Sequence, residues 1–156
     1  MAQIETWKET YTVDFERLTR DWITRFFGKD AVEPFEVGIL SNPKQHIIDN
    51  GGQLFFAVES GKVLGCVAVI RHNDTDYELS KLAVSPEAQG KGLASALFES
   101  AFDYAKSVEA KKLIIESNTI LTPALGLYKK YGFVEVKDFV PHYKRVNIKF
   151  EKELNN

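Results

Sequence analysis

Residues 84–94 read VSPEAQGKGLA, a segment that joins the end of a β-rich run at residues 77–84 to a long amphipathic pattern. A helix is predicted to begin at or just before Gly90. The first amides of a helix have no partner within the helix, and the helix dipole adds partial positive charge there. Gly90 and Gly92 have no Cβ, so a phosphate could approach these amides closely, and Lys91 adds a cation. The segment therefore predicts an anion-binding loop.

Alternative roles for the two glycines fit the sequence less well. A purely structural cap needs one glycine, and each costs a helix about 1 kcal/mol relative to alanine. A P-loop is excluded, because Gly92 is followed by Leu93 and no glycine lies five residues earlier. A dinucleotide-binding motif needs a third glycine at position 95, which is serine, and its first glycine closer to the strand. Glu116 could imitate the acid that binds ribose in such proteins, so this alternative stays open.

The segment before the loop predicts two helices and three strands. Apolar residues recur every three to four positions over residues 12–27, as on one face of a helix that ends at Gly28. A weaker helix is predicted over residues 42–52, and the connecting residues 33–35 are not assigned. The three strands are predicted at residues 53–59, 62–70 and 77–84, with a Ser60-Gly61 hairpin between the first two.

The segment after the loop predicts a mixed sheet. Its strongest helix has a stripe formed by Leu93, Leu97, Ala101 and Ala105. A strand at 112–116, a short helix at 123–131 and two strands at 133–136 and 145–151 follow it. Strands at both ends with crossover helices between them indicate an α+β layered fold, in which helices cover a mixed sheet. The chain length fits one domain, predicted over residues 1–156.

Composition limits the possible classes of function. The 156 residues are 44 % hydrophobic and 27 % charged, which is typical of a globular domain. A net charge of -2 does not favour a nucleic-acid or anionic membrane partner. No apolar run approaches the ~20 residues of a membrane span, and residues 1–7 do not resemble a signal peptide, so a cytoplasmic location is predicted. The only cysteine, Cys66, lies in an apolar run and is predicted to be a buried structural thiol.

The loop also fits the pattern Gln/Arg-x-x-Gly-x-Gly/Ala, through Gln89, Gly92 and Ala94. With this pattern and the stretches YELSKLAVSP at 77–86 and LYKKYGF at 127–133, the chain resembles the GNAT superfamily of acetyltransferases. The resemblance covers nearly the whole chain in the order of its elements. It implies the GNAT fold, a mixed and mostly antiparallel sheet flanked by helices. It further implies acetyl-CoA as donor and direct transfer of the acetyl group to a primary amine.

The same resemblance implies where the cofactor would bind. The loop amides would hold the pyrophosphate, and the backbone of the preceding strand would pair with the pantetheine arm as an added strand does. Many GNAT members have an asparagine three residues before the alanine of the last crossover helix, Ala124 here, but this chain has Leu121. Asn118 is the nearest asparagine. The implied cofactor-binding residues are Leu82, Ala83, Val84, Gln89, Gly90, Lys91, Gly92, Leu93, Ala94 and Asn118.

The expected catalytic residues are Tyr128 and Glu78. Tyr128 falls where family members often have a tyrosine near the thioester sulfur, and its phenol, with a reference pKa of about 10, can give a proton to a thiolate. The alternative for Tyr128 is an apolar anchor, as for Tyr131. Glu78 would act as the general base, with Glu116 as a second candidate. A solvated or salt-bridged carboxylate is the alternative for both.

The remaining expectations concern the oxyanion, the acceptor and the alternative classes of function. A backbone N–H near residues 82–84 would stabilise the oxyanion, and His142 and Tyr143 could line the acceptor pocket. No metal site is predicted. The acceptor would be a small-molecule or protein amine, with no nucleic acid or membrane partner, and the chain would be a monomer or homodimer. A non-catalytic acyl-CoA sensor would keep the glycine loop and not need Tyr128, whereas an interaction domain would use neither.

Overall fold

The computed structural model describes residues 1–154, which form one seven-stranded sheet with helices on both faces. The strand order is β1-β2-β3-β4-β5-β7-β6, and each adjacent pair is antiparallel except β4 and β5. The predicted mixed, mostly antiparallel sheet is therefore confirmed. The strands are β1 (Gln3–Thr6), β2 (Gln53–Glu59), β3 (Lys62–Arg71), β4 (Asp76–Val84), β5 (Lys112–Ser117), β6 (Val134–Val136) and β7 (Ile148–Glu153). The α-helices are α1 (Thr12–Phe27), α2 (Pro34–Ser41), α3 (Leu93–Ser107) and α4 (Thr122–Lys130).

Each face of the sheet has its own hydrophobic core. On one face, residues of α3 and α4 such as Phe98 and Tyr128 pack with sheet residues such as Leu79 and Phe150. On the other face, residues of α1 and α2 such as Phe15 and Leu40 pack with sheet residues such as Phe56. Cys66 is fully buried in this second core, as predicted, and burial raises the pKa of its thiol to about 12. Within residues 1–154, no helix is both long enough and apolar enough to cross a membrane.

The sheet opens between β4 and β5. The two strands pair in parallel only where residues 76–78 meet residues 112–114, whereas β5 continues beside β7 to Ser117. A bulge lies in β4 just beyond this point, with Lys81 in the left-handed region at φ 58° and two β4 residues opposite Val67 of β3. A bulge increases local twist and bends its strand. From Leu79 onward, β4 therefore has a neighbouring strand on one side only.

Two predicted helix positions are wrong. One helix was predicted over residues 42–52. In the structure the α-helix α2 lies before this range and ends at Ser41, and only a short π-helical turn, Lys44–Ile48, falls within it. The start of α2 is fixed by Pro34 in its first turn and by a capping box in which Glu33 and Glu36 bind each other's backbone amides. Glu33 and Pro34 lie in the connecting residues 33–35, to which the sequence pattern assigned no structure.

The helix predicted to begin at Gly90 begins at Leu93. Gly90 and Gly92 have φ values of 82° and 77°, which are incompatible with a right-handed helix, so the loop is longer than expected. Two strand positions also differ. β1 was not predicted, because its four residues carry too little pattern, and the last strand begins at Ile148 rather than at 145.

Candidate active site

An open cleft of about 660 Å³ lies between the end of β4, the 85–92 loop and α4. Its walls include Leu82 and Val84 on the unpaired edge of β4. The loop contributes Gln89, Gly90 and Gly92, and the opposite wall comes from α4. The cleft thus follows the gap in the sheet and ends at the glycine loop.

The glycine loop presents backbone amides that have no internal acceptor. Among residues 1–154, the N–H groups of residues 90–95 make no hydrogen bond to another backbone or side-chain atom. A Cβ built at Gly90 or Gly92 would meet no protein atom within 4 Å, so positive φ, rather than protein packing, favours glycine there. Lys91 is exposed and does not line the cleft. The loop can therefore bind an anion through its main chain.

A smaller pocket of about 80 Å³ continues from the cleft into the gap between β4 and β5. The cleft and this inner pocket share wall residues from α1, β4 and α4, so the two spaces adjoin. The inner pocket is lined by hydrophobic side chains and by a group of polar ones. The polar wall residues are Ser80, Lys81, Glu116, Ser117, Asn118, Tyr128, Tyr143 and Arg145.

Tyr128 is held rigidly in the wall of the inner pocket. Its ring packs against Phe98, Phe133 and Phe150, with centroid distances of 6.0, 6.5 and 5.5 Å, and the residue is 5 % exposed. Burial raises the pKa of Tyr128 to about 12, although the Ser117 hydroxyl lowers it in part. The phenol therefore stays protonated near neutral pH and can donate a hydrogen bond or a proton. Tyr131, by contrast, bonds to the exposed Glu99.

The two candidate bases differ in where they point. The Glu78 carboxylate is buried and bonds to His72 Nε2 at 2.8 Å, but Glu78 lines neither the cleft nor the inner pocket. That hydrogen bond raises the pKa of His72, although burial opposes the shift. The Glu116 side chain is 2 % exposed and lines the inner pocket. It accepts hydrogen bonds from the backbone N–H of His142, at 2.9 Å, and from the His142 ring.

A buried ion cluster borders the inner pocket and was not predicted from the sequence. Glu36 of α2 accepts hydrogen bonds from Lys81 Nζ and from both terminal nitrogens of Arg145, each at 2.7 Å. Tyr143 lies over the cluster, with Lys81 Nζ 4.6 Å from its ring centroid. Burial alone would raise the pKa of Glu36, but Arg145 and Lys81 lower it to about 2. The signal that the sequence offered is a lysine, Lys81, directly before the three apolar residues that end β4.

The sequence-predicted site residues are thus divided between the two spaces. Of the expected cofactor-binding residues, Ala83 and Lys91 do not line the cleft, whereas the cleft is bordered by Leu82, Val84, Gln89, Gly90, Gly92, Leu93 and Ala94. Tyr128, Glu116 and Tyr143 line the inner pocket. Asn118 also lines the inner pocket, but its side chain donates to Arg145 O at 2.8 Å and accepts from Ile120 N at 3.0 Å. His142 lines neither space; its side chain is 59 % exposed, and its ring lies 5.9 Å from that of His72.

The split in the sheet, the free backbone amides of the glycine loop and the buried Tyr128 hydroxyl thus lie along one continuous space. The family model described as "Acetyltransferase (GNAT) family" matches residues 7–133, and the chain belongs to this family of acyltransferases.

Two curated relatives are named as N-acetyltransferases. The chain is 30 % identical, over 132 residues, to an uncharacterised N-acetyltransferase of Schizosaccharomyces pombe, covering 83 % of this chain and 78 % of that protein. It is 28 % identical, over 131 residues, to a putative ribosomal protein bS18 alanine N-acetyltransferase of Bacillus subtilis, covering 83 % of this chain and 76 % of that protein.

Solved structures show the same fold. A GNAT-family acetyltransferase of Staphylococcus aureus superposes with a TM-score of 0.88 at 17 % identity, over 99 % of this chain and 100 % of that one. A putative acetyltransferase of Salmonella typhimurium, solved with its cofactor acetyl-CoA, superposes with a TM-score of 0.77 at 16 % identity. That match covers 100 % of this chain and 95 % of the other.

Proposed function

We propose that this protein transfers the acetyl group of acetyl-CoA directly to a primary amine. The observation that carries the proposal is the continuous space that leads from the main-chain amides of the glycine loop to the Tyr128 hydroxyl. An elongated thioester with a phosphate-bearing end fits such a space, because its anionic end and its reactive end need different surroundings.

The residues of the cleft suit the three parts of coenzyme A. The free amides of residues 90–95 would bind the pyrophosphate, as the N-terminal ends of helices bind anions. The unpaired edge of β4 at Leu82, Ala83 and Val84 would accept the amide groups of the pantetheine arm, as a sheet edge accepts a strand. Asn118 lines the inner pocket, where the reactive end would lie, and would contact the cofactor there.

The chemistry needs a proton donor on one side and a proton acceptor on the other. When bound, acetyl-CoA supplies an activated acyl group whose leaving group is a thiolate. Tyr128 Oη donates a proton towards that sulfur, because burial raises its pKa to about 12 and so keeps the phenol protonated at neutral pH. Backbone N–H groups on the open edge of β4 stabilise the charge that develops on the carbonyl oxygen.

The proton acceptor is a carboxylate on the strands beside the gap. Glu116 lines the inner pocket, and exposed His142 connects its carboxylate to solvent. Glu78, the first candidate from the sequence, lies on β4 and bonds to His72. It lines neither the cleft nor the inner pocket, so it is less well placed than Glu116 to reach the amine. We therefore assign deprotonation of the amine to Glu116, with Glu78 as the alternative.

A screen of amines with acetyl-CoA, monitored by release of free thiol, tests the proposal. The panel should contain small amines and peptides with a free N-terminus, including N-terminal alanine, because one relative is named for a ribosomal protein alanine. Thiol release that requires both substrates supports the proposal. An acetyl-CoA-dependent rise in melting temperature without turnover of any amine would instead indicate a sensor.

A further inference from the structure

Ser117 carries a buried hydroxyl that no protein group satisfies. It is the last residue of β5, it is 6 % exposed, and its side chain points towards the α4 side of the sheet with Leu113 and Ile115. Within residues 1–154, three buried side-chain oxygens lack a hydrogen-bond partner, on Thr19, Ser85 and Ser117. Only Ser117 of these lines the inner pocket, where Tyr128 is also found.

An unsatisfied hydroxyl is costly in this place. Leaving a buried polar group without a partner costs about 1–3 kcal/mol, and an alanine would avoid the cost. Tyr128, the neighbour of Ser117 in the inner pocket, is fixed in position because three phenylalanine rings pack against its ring. The Ser117 hydroxyl is close enough to lower the pKa of Tyr128. Hydrogen bonds of catalytic groups are often poorly aligned in the free enzyme and tighten when the site is filled.

We propose that Ser117 is a positioning residue for Tyr128, and that its O–H donates a hydrogen bond to Tyr128 Oη when the inner pocket is occupied. This inference rests on the proposed function. With one lone pair of Tyr128 Oη engaged, the phenol's own hydrogen turns towards the sulfur. As the C–N bond forms and the C–S bond breaks, that proton moves to sulfur, and the Ser117 hydrogen bond stabilises the phenolate left behind. The proton released by the amine goes to Glu116.

The first test compares stability with activity in Ser117→Ala. The free variant should melt at the wild-type temperature or above it, since an unsatisfied hydroxyl has been removed. Its kcat for the fastest amine of the panel should fall about tenfold, with the KM for acetyl-CoA unchanged. Tyr128→Phe combined with Ser117→Ala should be no slower than Tyr128→Phe alone, because Ser117 acts only through the phenol. Ser117→Thr keeps the hydroxyl and should restore kcat.

The second test does not depend on turnover. In the CoA-bound protein labelled with ¹³Cζ-tyrosine, the Tyr128 resonance, identified by its loss in Tyr128→Phe, should shift in Ser117→Ala and return in Ser117→Thr. Thr19→Val removes another unsatisfied hydroxyl, on a residue that does not line the inner pocket, and should leave this resonance and kcat unchanged. If CoA raises the melting temperature of the wild type but Ser117→Ala leaves the resonance in place, the inference fails alone. If CoA does not bind the wild type, the proposed function fails and the inference with it.

Discussion

Lys81 Nζ on β4 lies 2.7 Å from Glu36 Oε2 on α2, and both side chains are almost completely buried. The pair joins the β4 bulge to α2, and Arg145 adds a bidentate contact from the segment before β7. Removing one partner of a buried ion pair is strongly destabilising, because the other charge stays buried without compensation. The cluster therefore fixes the geometry of this side of the site.

Acid should weaken the fold through Glu36. Its pKa in the folded protein is about 2, below the ordinary value of 4.5. Its contribution to the free energy of unfolding is therefore complete above pH 4.5 and is lost as the pH falls towards 2. In Glu36→Gln, urea unfolding should show a loss of about 3–5 kcal/mol at pH 7 and a shallower decline between pH 4.5 and 2. Glu135→Gln, at an exposed carboxylate, should change stability by less than about 0.5 kcal/mol. Equal acid sensitivity of Glu36→Gln and wild type would contradict this assignment.

Negative charge at Gly92 should weaken binding of acetyl-CoA. The residue has φ 77°, a conformation that asparagine and aspartate tolerate better than most residues do, and the space around it is open. Gly92→Asn and Gly92→Asp are therefore matched in shape and differ in charge. Calorimetry should show a Kd at least about tenfold higher for the aspartate variant, a difference of ~1.4 kcal/mol. Similar affinities for the two variants would argue against phosphate binding at the loop.

Loss of the Tyr128 hydroxyl should slow the chemical step. Tyr128→Phe keeps the ring in its phenylalanine cluster, so the melting temperature should change little. We expect kcat to fall by ~10²-fold, about 2.7 kcal/mol, with little change in affinity for acetyl-CoA. Tyr131→Phe is the control, because the hydroxyl of Tyr131 bonds to exposed Glu99. If both variants keep wild-type kcat, Tyr128 has no part in proton transfer.

The two carboxylates should separate in a pH–rate profile. Glu116→Gln keeps the shape of a pocket-lining residue but removes the base, so kcat/KM should fall by ~10²-fold and its acidic limb should move. Glu78→Gln should cost less than about tenfold, because Glu78 lines neither space. The reverse order of effects would return the role of base to Glu78.

Local signals in the sequence were enough for strands β2 to β6, for α1 and for the position of the glycine loop. Each depends on residues close together in the chain, such as the continuous apolar run of β2 or the two glycines at 90 and 92. The ion cluster could not be predicted, because Glu36, Lys81 and Arg145 are distant in sequence and meet only through the β4 bulge. The choice between Glu78 and Glu116 depends on side-chain direction at the split, which periodicity alone does not specify.

The open edge of β4 also affects how this chain can diverge. A wall made of peptide groups is the same whatever side chains its residues carry, with proline as the exception, since proline has no N–H to offer. Substitutions at residues 82–84 that preserve packing should therefore leave recognition of the donor unchanged. Sequence drift at these three residues should then leave binding of acetyl-CoA intact. Side chains line the inner pocket, so substitutions there should instead change which amine is accepted.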